Sequence, residues 1–88
     1  MGKTIRVEVT AEDIAKGHPC EAHACPIALA AQRAGVDGAS FWPASGRLCY
    51  GPASARDRVQ LDETCRQFAN NFDKKLPVEP FAFTVVLP

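Results

Sequence analysis

The sequence predicts one small α+β domain: a single-layer, largely antiparallel sheet with helices packed on one face, in the order β-α-α-β-β-α-β. Three observations carry this expectation. Thr4–Val9 and Phe81–Leu87 alternate apolar residues with others at the period of a half-buried strand. Leu61, Cys65, Phe68 and Phe72 follow one another at steps of four, three and four, a single stripe on a helix. Two short aromatic-bearing runs, Ala39–Trp42 and Arg47–Tyr50, flank Pro43–Gly46 and read as a β-hairpin with a four-residue connection. The chain has 88 residues, of which 47% are hydrophobic, so it can bury one core and forms a single domain over residues 1–88.

The elements follow in order. In the first strand Ile5, Val7 and Val9 point one way, and Thr4, Arg6 and Glu8 the other. Thr10 is placed to cap a short helix by accepting from the amide of Asp13, with Glu12 and Asp13 at its positive end. Gly17 then closes the turn, expected in a left-handed conformation. After the loop His18–Ala24, Pro26 suits the first position of a second helix because its missing N–H would be unpaired there anyway. Ile27, Ala30, Ala31 and Ala34 share one face of that helix, and Gly35 stops it. Gly51–Arg58 reads as a loop, with Val59 and Leu61 able to extend a sheet briefly. The most secure helix spans Asp62–Lys75, acidic at its start and basic at its end, with Pro77 and Pro80 preventing its continuation. Phe81, Phe83, Val85 and Leu87 share one face of the last strand.

Ten basic and ten acidic residues give a formal net charge of zero. Proteins that hold nucleic acid by bulk electrostatics show a basic excess, so direct nucleic-acid binding is not expected from the total, although a local patch of either sign survives such a sum. The N-terminus enters strand alternation without an apolar signal region, and no apolar run reaches bilayer length. The expectation is a cytoplasmic protein with no membrane partner. In that compartment the four cysteines read as buried thiols or ligands rather than as a disulfide framework.

Three constellations offer chemistry. His18, Cys20, His23 and Cys25 have the right softness for zinc, but four ligands within eight residues demand a tight loop, and their spacing matches no standard pair of ligand pairs. A zinc-binding regulatory or structural module using the Cys20–Cys25 loop, helped by Cys49 or Cys65, is the alternative function; the first expectation is no cofactor. Cys25 also precedes a helix start, where the dipole lowers a thiol pKa, with His23 nearby as a base; no third orienting group is evident, and the competing role for Cys25 is a half-buried helix cap. Third, Phe41, Trp42 and Tyr50 cluster around the hairpin with Arg47, Arg56 and Arg58 near them. Alternate members of the aromatic set should face the core, and an exposed Trp42 would serve as an interface anchor. The candidate interaction residues are therefore Trp42, Arg47, Tyr50, Arg56 and Arg58. There is no Gly-rich phosphate loop, no paired-histidine metal helix and no G-x-S-x-G elbow, so the sequence makes no case for an enzyme.

Four segments together resemble a widespread family of small bacteriophage proteins. They are V-T-x-x-D-I-x-x-G at Val9–Gly17, C-P-I-A-L-A at Cys25–Ala30, F-x-x-x-F-D at Phe68–Asp73 and V-x-P-F-x-F at Val78–Phe83. The hairpin lies outside them. The resemblance implies phage or prophage origin and action in a bacterial cytoplasm, and it carries no catalytic residues. Cys25 falls within the shared segments, whereas His18, Cys20 and His23 do not. Small phage proteins without catalytic motifs often bind a host machine. The expected function is therefore a non-enzymatic inhibitor of a host defence complex, an anti-CRISPR protein blocking a CRISPR effector surface above all.

Overall fold

The computed structural model describes residues 3–18, 21–52, 54 and 56–87. Five strands and three helices follow in the order β1 (Lys3–Val9), α1 (Ala11–Lys16), α2 (Pro26–Arg33), β2 (Ser40–Trp42), β3 (Arg47–Tyr50), β4 (Asp57–Gln60), α3 (Glu63–Asp73) and β5 (Phe81–Leu87). The domain is α+β and every strand pair is antiparallel. The predicted order holds, with one strand, β4, added after the hairpin.

The strands form two sheets rather than one. β1 pairs with β5 along their whole length, from Lys3 opposite Leu87 to Val9 opposite Phe81. The hairpin β2–β3 continues into β4, with Leu48 opposite both Phe41 and Val59. Alternation fixes which face of a strand is buried; it does not fix which strand lies beside it. Each sheet turns its apolar row inward: Val7, Val9, Phe83 and Val85 from the long ribbon, Phe41 and Leu48 from the hairpin sheet. Helix α2 packs against both β1 and β2 and joins the two sheets through one core.

Small residues make that joint close. Ile27, Ala28, Ala30 and Ala31 of α2 are all buried. Ala34, expected on the same stripe, is the C-cap and exposed, because the helix ends at Arg33. Gly17 differs from expectation as well: its φ is −69° and ψ 153°, an extended C-cap open to any residue. Its requirement is space. A Cβ there would lie 2.7 and 2.8 Å from the Cδ and Cγ of Pro26, so the end of α1 sits directly on the proline that starts α2. Gly17→Ala should therefore lower stability by about 1–3 kcal/mol through overpacking, read as a lower urea midpoint with an unchanged slope.

The first two helices are also joined by charge. Thr10 and Asp13 form a reciprocal capping box: Thr10 Oγ1 accepts from Asp13 N at 3.3 Å, and Asp13 Oδ2 accepts from Thr10 N at 2.9 Å. The other oxygen of the buried Asp13 carboxylate accepts from Arg33 Nη1, at the end of α2. Arg33 Nη2 donates on to Glu8 O at 2.7 Å, so β1, α1 and α2 meet at one guanidinium.

Helix α3 starts from Asp62, whose carboxylate accepts from Cys65 N, and buries Cys65, Phe68 and Ala69. Its aromatic side chains meet those of β5: the Phe68 ring lies 4.7 Å from that of Phe81, which lies 5.8 Å from Phe83. Among the described residues no helix is long and apolar enough to cross a membrane.

Candidate docking face and cleft

The hairpin connection Pro43–Gly46 is as predicted: Ser45 N and Gly46 N both donate to Trp42 O, and Gly46 takes the positive φ of 69° that the turn needs. With register fixed, the outer face of β2–β3–β4 carries two rows. Ser40, Cys49 and Arg58 stand across from one another, then Trp42, Arg47 and Gln60. Phe41, Leu48 and Val59 form the opposite, core-facing row. The aromatic neighbours thus separate: Phe41 is completely buried, while Trp42 is 50% exposed.

An open cleft of about 620 Å³ lies on the outer face. Trp42, Arg56, Arg58 and Asp57 line it from the hairpin sheet and the segment before β4, with Ser40 and Cys49 between, and His23 borders it from the preceding loop. That loop is fixed against the sheet. Phe41 N donates to Ala22 O at 2.9 Å, His18 N donates to Ala24 O at 2.8 Å, and Gln32 Nε2 bridges His23 O and Ala39 O.

The five candidate interaction residues occupy distinct places. Trp42 and Arg58 line the cleft. Arg47 stands beside Trp42 on the same face but outside the cleft. Arg56 lines it as a staple: its guanidinium donates to Gly38 O at 2.8 Å, Ser40 Oγ at 3.1 Å and Gly51 O at 3.2 Å. These acceptors are neutral, so its charge is held in place without being cancelled. The staple fixes a tight crossing, since Gly38 has φ +63° and a Cβ there would meet Gly51 O at 2.7 Å. Tyr50 alternates onto the core-facing side, half-buried, directly across from Asp57. Its hydroxyl is buried, and burial, followed by the charge and hydrogen bonding of Asp57, pushes its pKa up. Tyr50 is partly buried and packs against the core.

Sequence reasoning missed Ser40, Cys49, Asp57 and His23 as neighbours in one cleft. The alternation of Phe41 and Leu48 as core residues was the available signal, because it turns residues 40, 42, 47 and 49 outward. Nothing local to residues 57–58 signals that they border this cleft; β4 is added to the hairpin by tertiary pairing.

The metal and thiol candidates resolve differently. Cys20 lies outside the described residues. His18 and His23 are exposed, and Cys25 is buried. Among the described residues no three His, Cys, Asp or Glu side chains gather as a metal-holding group. Cys25 is the N-cap of α2: its Sγ accepts from Ala28 N at 3.4 Å. The expected lowering of its pKa by the helix start does not prevail. Burial, aided by the charge of Asp73, pushes the thiol up against the favourable amides of Ala28 and Ile27. Cys65 is buried on α3, with its pKa pushed up to about 12 by burial and by Asp62. Cys49 is half-buried at the cleft. Iodoacetamide should therefore modify Cys49 at least about tenfold faster than Cys25 or Cys65 in the folded protein, followed site by site by mass spectrometry; equal rates would contradict the buried placement of Cys25.

Comparisons of the chain with protein-family models and curated proteins, and of its structure with solved structures, found no match.

Proposed function

We propose that the protein is a non-enzymatic binding module that engages a macromolecular partner through the outer face of β2–β3–β4. One observation carries this reading. A half-exposed tryptophan stands on a hydrogen-bonded sheet with Arg47 and Arg58 on the same face, and neither guanidinium has a hydrogen-bond or ion-pair partner among the described residues. Tryptophan and arginine are the residues most enriched among interface anchors, and a preformed sheet spares the ordering cost of docking. The partner surface therefore offers negative charge around a site for an indole ring.

Phage origin, suggested by the family resemblance, places that partner in an infected bacterium. We put a host defence complex first, and a CRISPR effector before others. The module acts by occupying a surface the effector needs. The buried, raised-pKa Cys25 supports a binding role over a thiol enzyme built on that residue. Capture assays with purified effector complexes test the proposal. Wild-type protein should retain an effector, and Trp42→Ala and a paired Arg47→Glu, Arg58→Glu variant should each lose retention about tenfold or more. Arg56 is left unaltered in these variants because its substitution would release the Gly38–Gly51 crossing. No retention of any effector by the wild type would end the proposal.

A further inference from the structure

We propose that the cleft on the hairpin sheet is a nucleotide site, taking a planar base against Trp42 and the attached phosphate against Arg58, with Arg56 behind it. The inference rests on the docking face proposed above and names the chemistry that this face holds: a nucleotide unit, presented by a single-stranded nucleic acid or as a free mononucleotide.

Three observations converge on it. The face is concave, and a cleft of about 620 Å³ falls within the usual range of roughly 300–1,000 Å³ for small-ligand sites. A protein surface docking on a flat sheet does not need that hollow. Second, the charge within it is uncancelled. Elsewhere Arg6, Lys16, Arg33 and Arg66 are engaged by carboxylates. Arg56 is fixed by neutral oxygens, and Arg58 has no side-chain partner among the described residues. Asp57 is the single carboxylate lining the cleft among the described residues, and its Oδ1 accepts from the backbone amide of Arg58 at 2.8 Å. Two guanidinium charges against one carboxylate leave the cleft positive, although the whole chain sums to zero. The charge total averages away the asymmetry that decides local binding.

Third, the geometry suits a ring joined to an anion. Trp42 lies on β2 and Arg58 on β4, two strand spacings apart, about 10 Å across the sheet. Both residues line the cleft, with the small side chain of Cys49 on the intervening strand and Ser40 also lining it. An acidic peptide would satisfy the arginines but would leave the indole without a flat partner. A base stacked on an aromatic side chain with its phosphate on arginine uses both, as single strands are commonly held by stacking platforms beside local positive charge. His23 at the rim adds a further polar group on a loop fixed by Gln32.

Trp42 is the only tryptophan, so its fluorescence reports the site directly. Folded protein is titrated at low salt with a ten-nucleotide oligo-uridine, with uridine monophosphate, with inorganic phosphate and with a ten-residue poly-glutamate peptide. The expected result is saturable quenching by the oligonucleotide that weakens as salt rises. Quenching by the mononucleotide at higher concentration supports the same site, and equal affinity for both identifies a free nucleotide as the source. Arg58→Glu should weaken quenching at least tenfold, while the same charge change at the distant Arg6 shifts it less than twofold. Anisotropy of labelled oligonucleotide covers Trp42→Leu, which should lose binding similarly. Absence of quenching by either nucleotide ligand at millimolar concentration overturns the inference. So does equal quenching by poly-glutamate, or an unaltered response in Arg58→Glu. Effector capture that depends on Trp42 without nucleotide quenching would leave the docking face standing and remove the nucleotide; loss of both removes both.

Discussion

Phe41→Ala is expected to destabilise the domain by about 3–5 kcal/mol, the usual cost of emptying a buried phenylalanine site. Phe41 is completely buried and belongs to the inner row of the hairpin sheet, opposite Leu48, where β2 meets α2. It is the largest fully buried side chain, and its loss opens the joint between the two sheets. For a domain of this size each kcal/mol moves Tm by roughly 4–8 °C, so the midpoint should fall by roughly 12–40 °C. Phe41→Leu, which keeps most of the volume, should lose well under half as much. The adjacent Trp42→Ala, on the exposed face, should shift stability by less than about 1 kcal/mol. Thermal and urea midpoints of the three variants check the register itself. A one-residue slip would exchange the two aromatic positions and reverse the order of effects.

That register was half legible beforehand. The hairpin's turn, Pro43–Gly46, is written in its own residues, and so is the capping of α1 by Thr10 and the stripe of α3. Each is a local pattern with a local cause. The strand β4 is not local: Asp57, Arg58, Val59 and Gln60 contain one apolar residue, and they are extended because the edge of β3 is there to receive them. The split into two sheets has the same origin, since β1 finds its partner more than seventy residues away in β5. The cleft depends on β4, and for that reason Arg58 was recognisable as a surface cation but not as the neighbour of Cys49.

The segments resembling a phage family acquire physical roles from the same comparison. Thr10 and Asp13 are a capping box, Gly17 rests on Pro26, Cys25 caps α2, and Phe68 meets Phe81 and Phe83. All of them build the frame on which the two sheets are mounted. The residues of the proposed docking face, Trp42, Arg47 and Arg58, all fall in the stretch between those segments.

The contact between Asp13 and Arg33 in that frame yields the second large effect. Asp13→Ala should cost about 2.5–4 kcal/mol: about 1 from the lost capping box and roughly 1.5–3 from the charge-assisted contact to Arg33. Asp13 is buried while Arg33 is half-exposed, so the arginine regains water in the variant and the loss stays near the low end. The pH dependence separates charge from shape. Burial alone would raise the carboxyl's pKa, but hydrogen bonds from Arg33 and Thr10 outweigh it and hold the folded value below the ordinary 3.8. A depressed folded pKa means the contribution is complete above the unfolded value and disappears as pH falls through the folded one. Asp13→Asn keeps the shape without the titration. Its deficit relative to wild type should be constant at neutral pH and narrow below about pH 4, as measured by urea midpoints across the acid range. A deficit that is unchanged down to pH 2 would show that the carboxylate charge contributes nothing, and that Arg33 is held to α1 by geometry alone. A cycle with Arg33→Ala then isolates the pair, because the coupling should vanish over the same acid interval in which Asp13 takes up its proton.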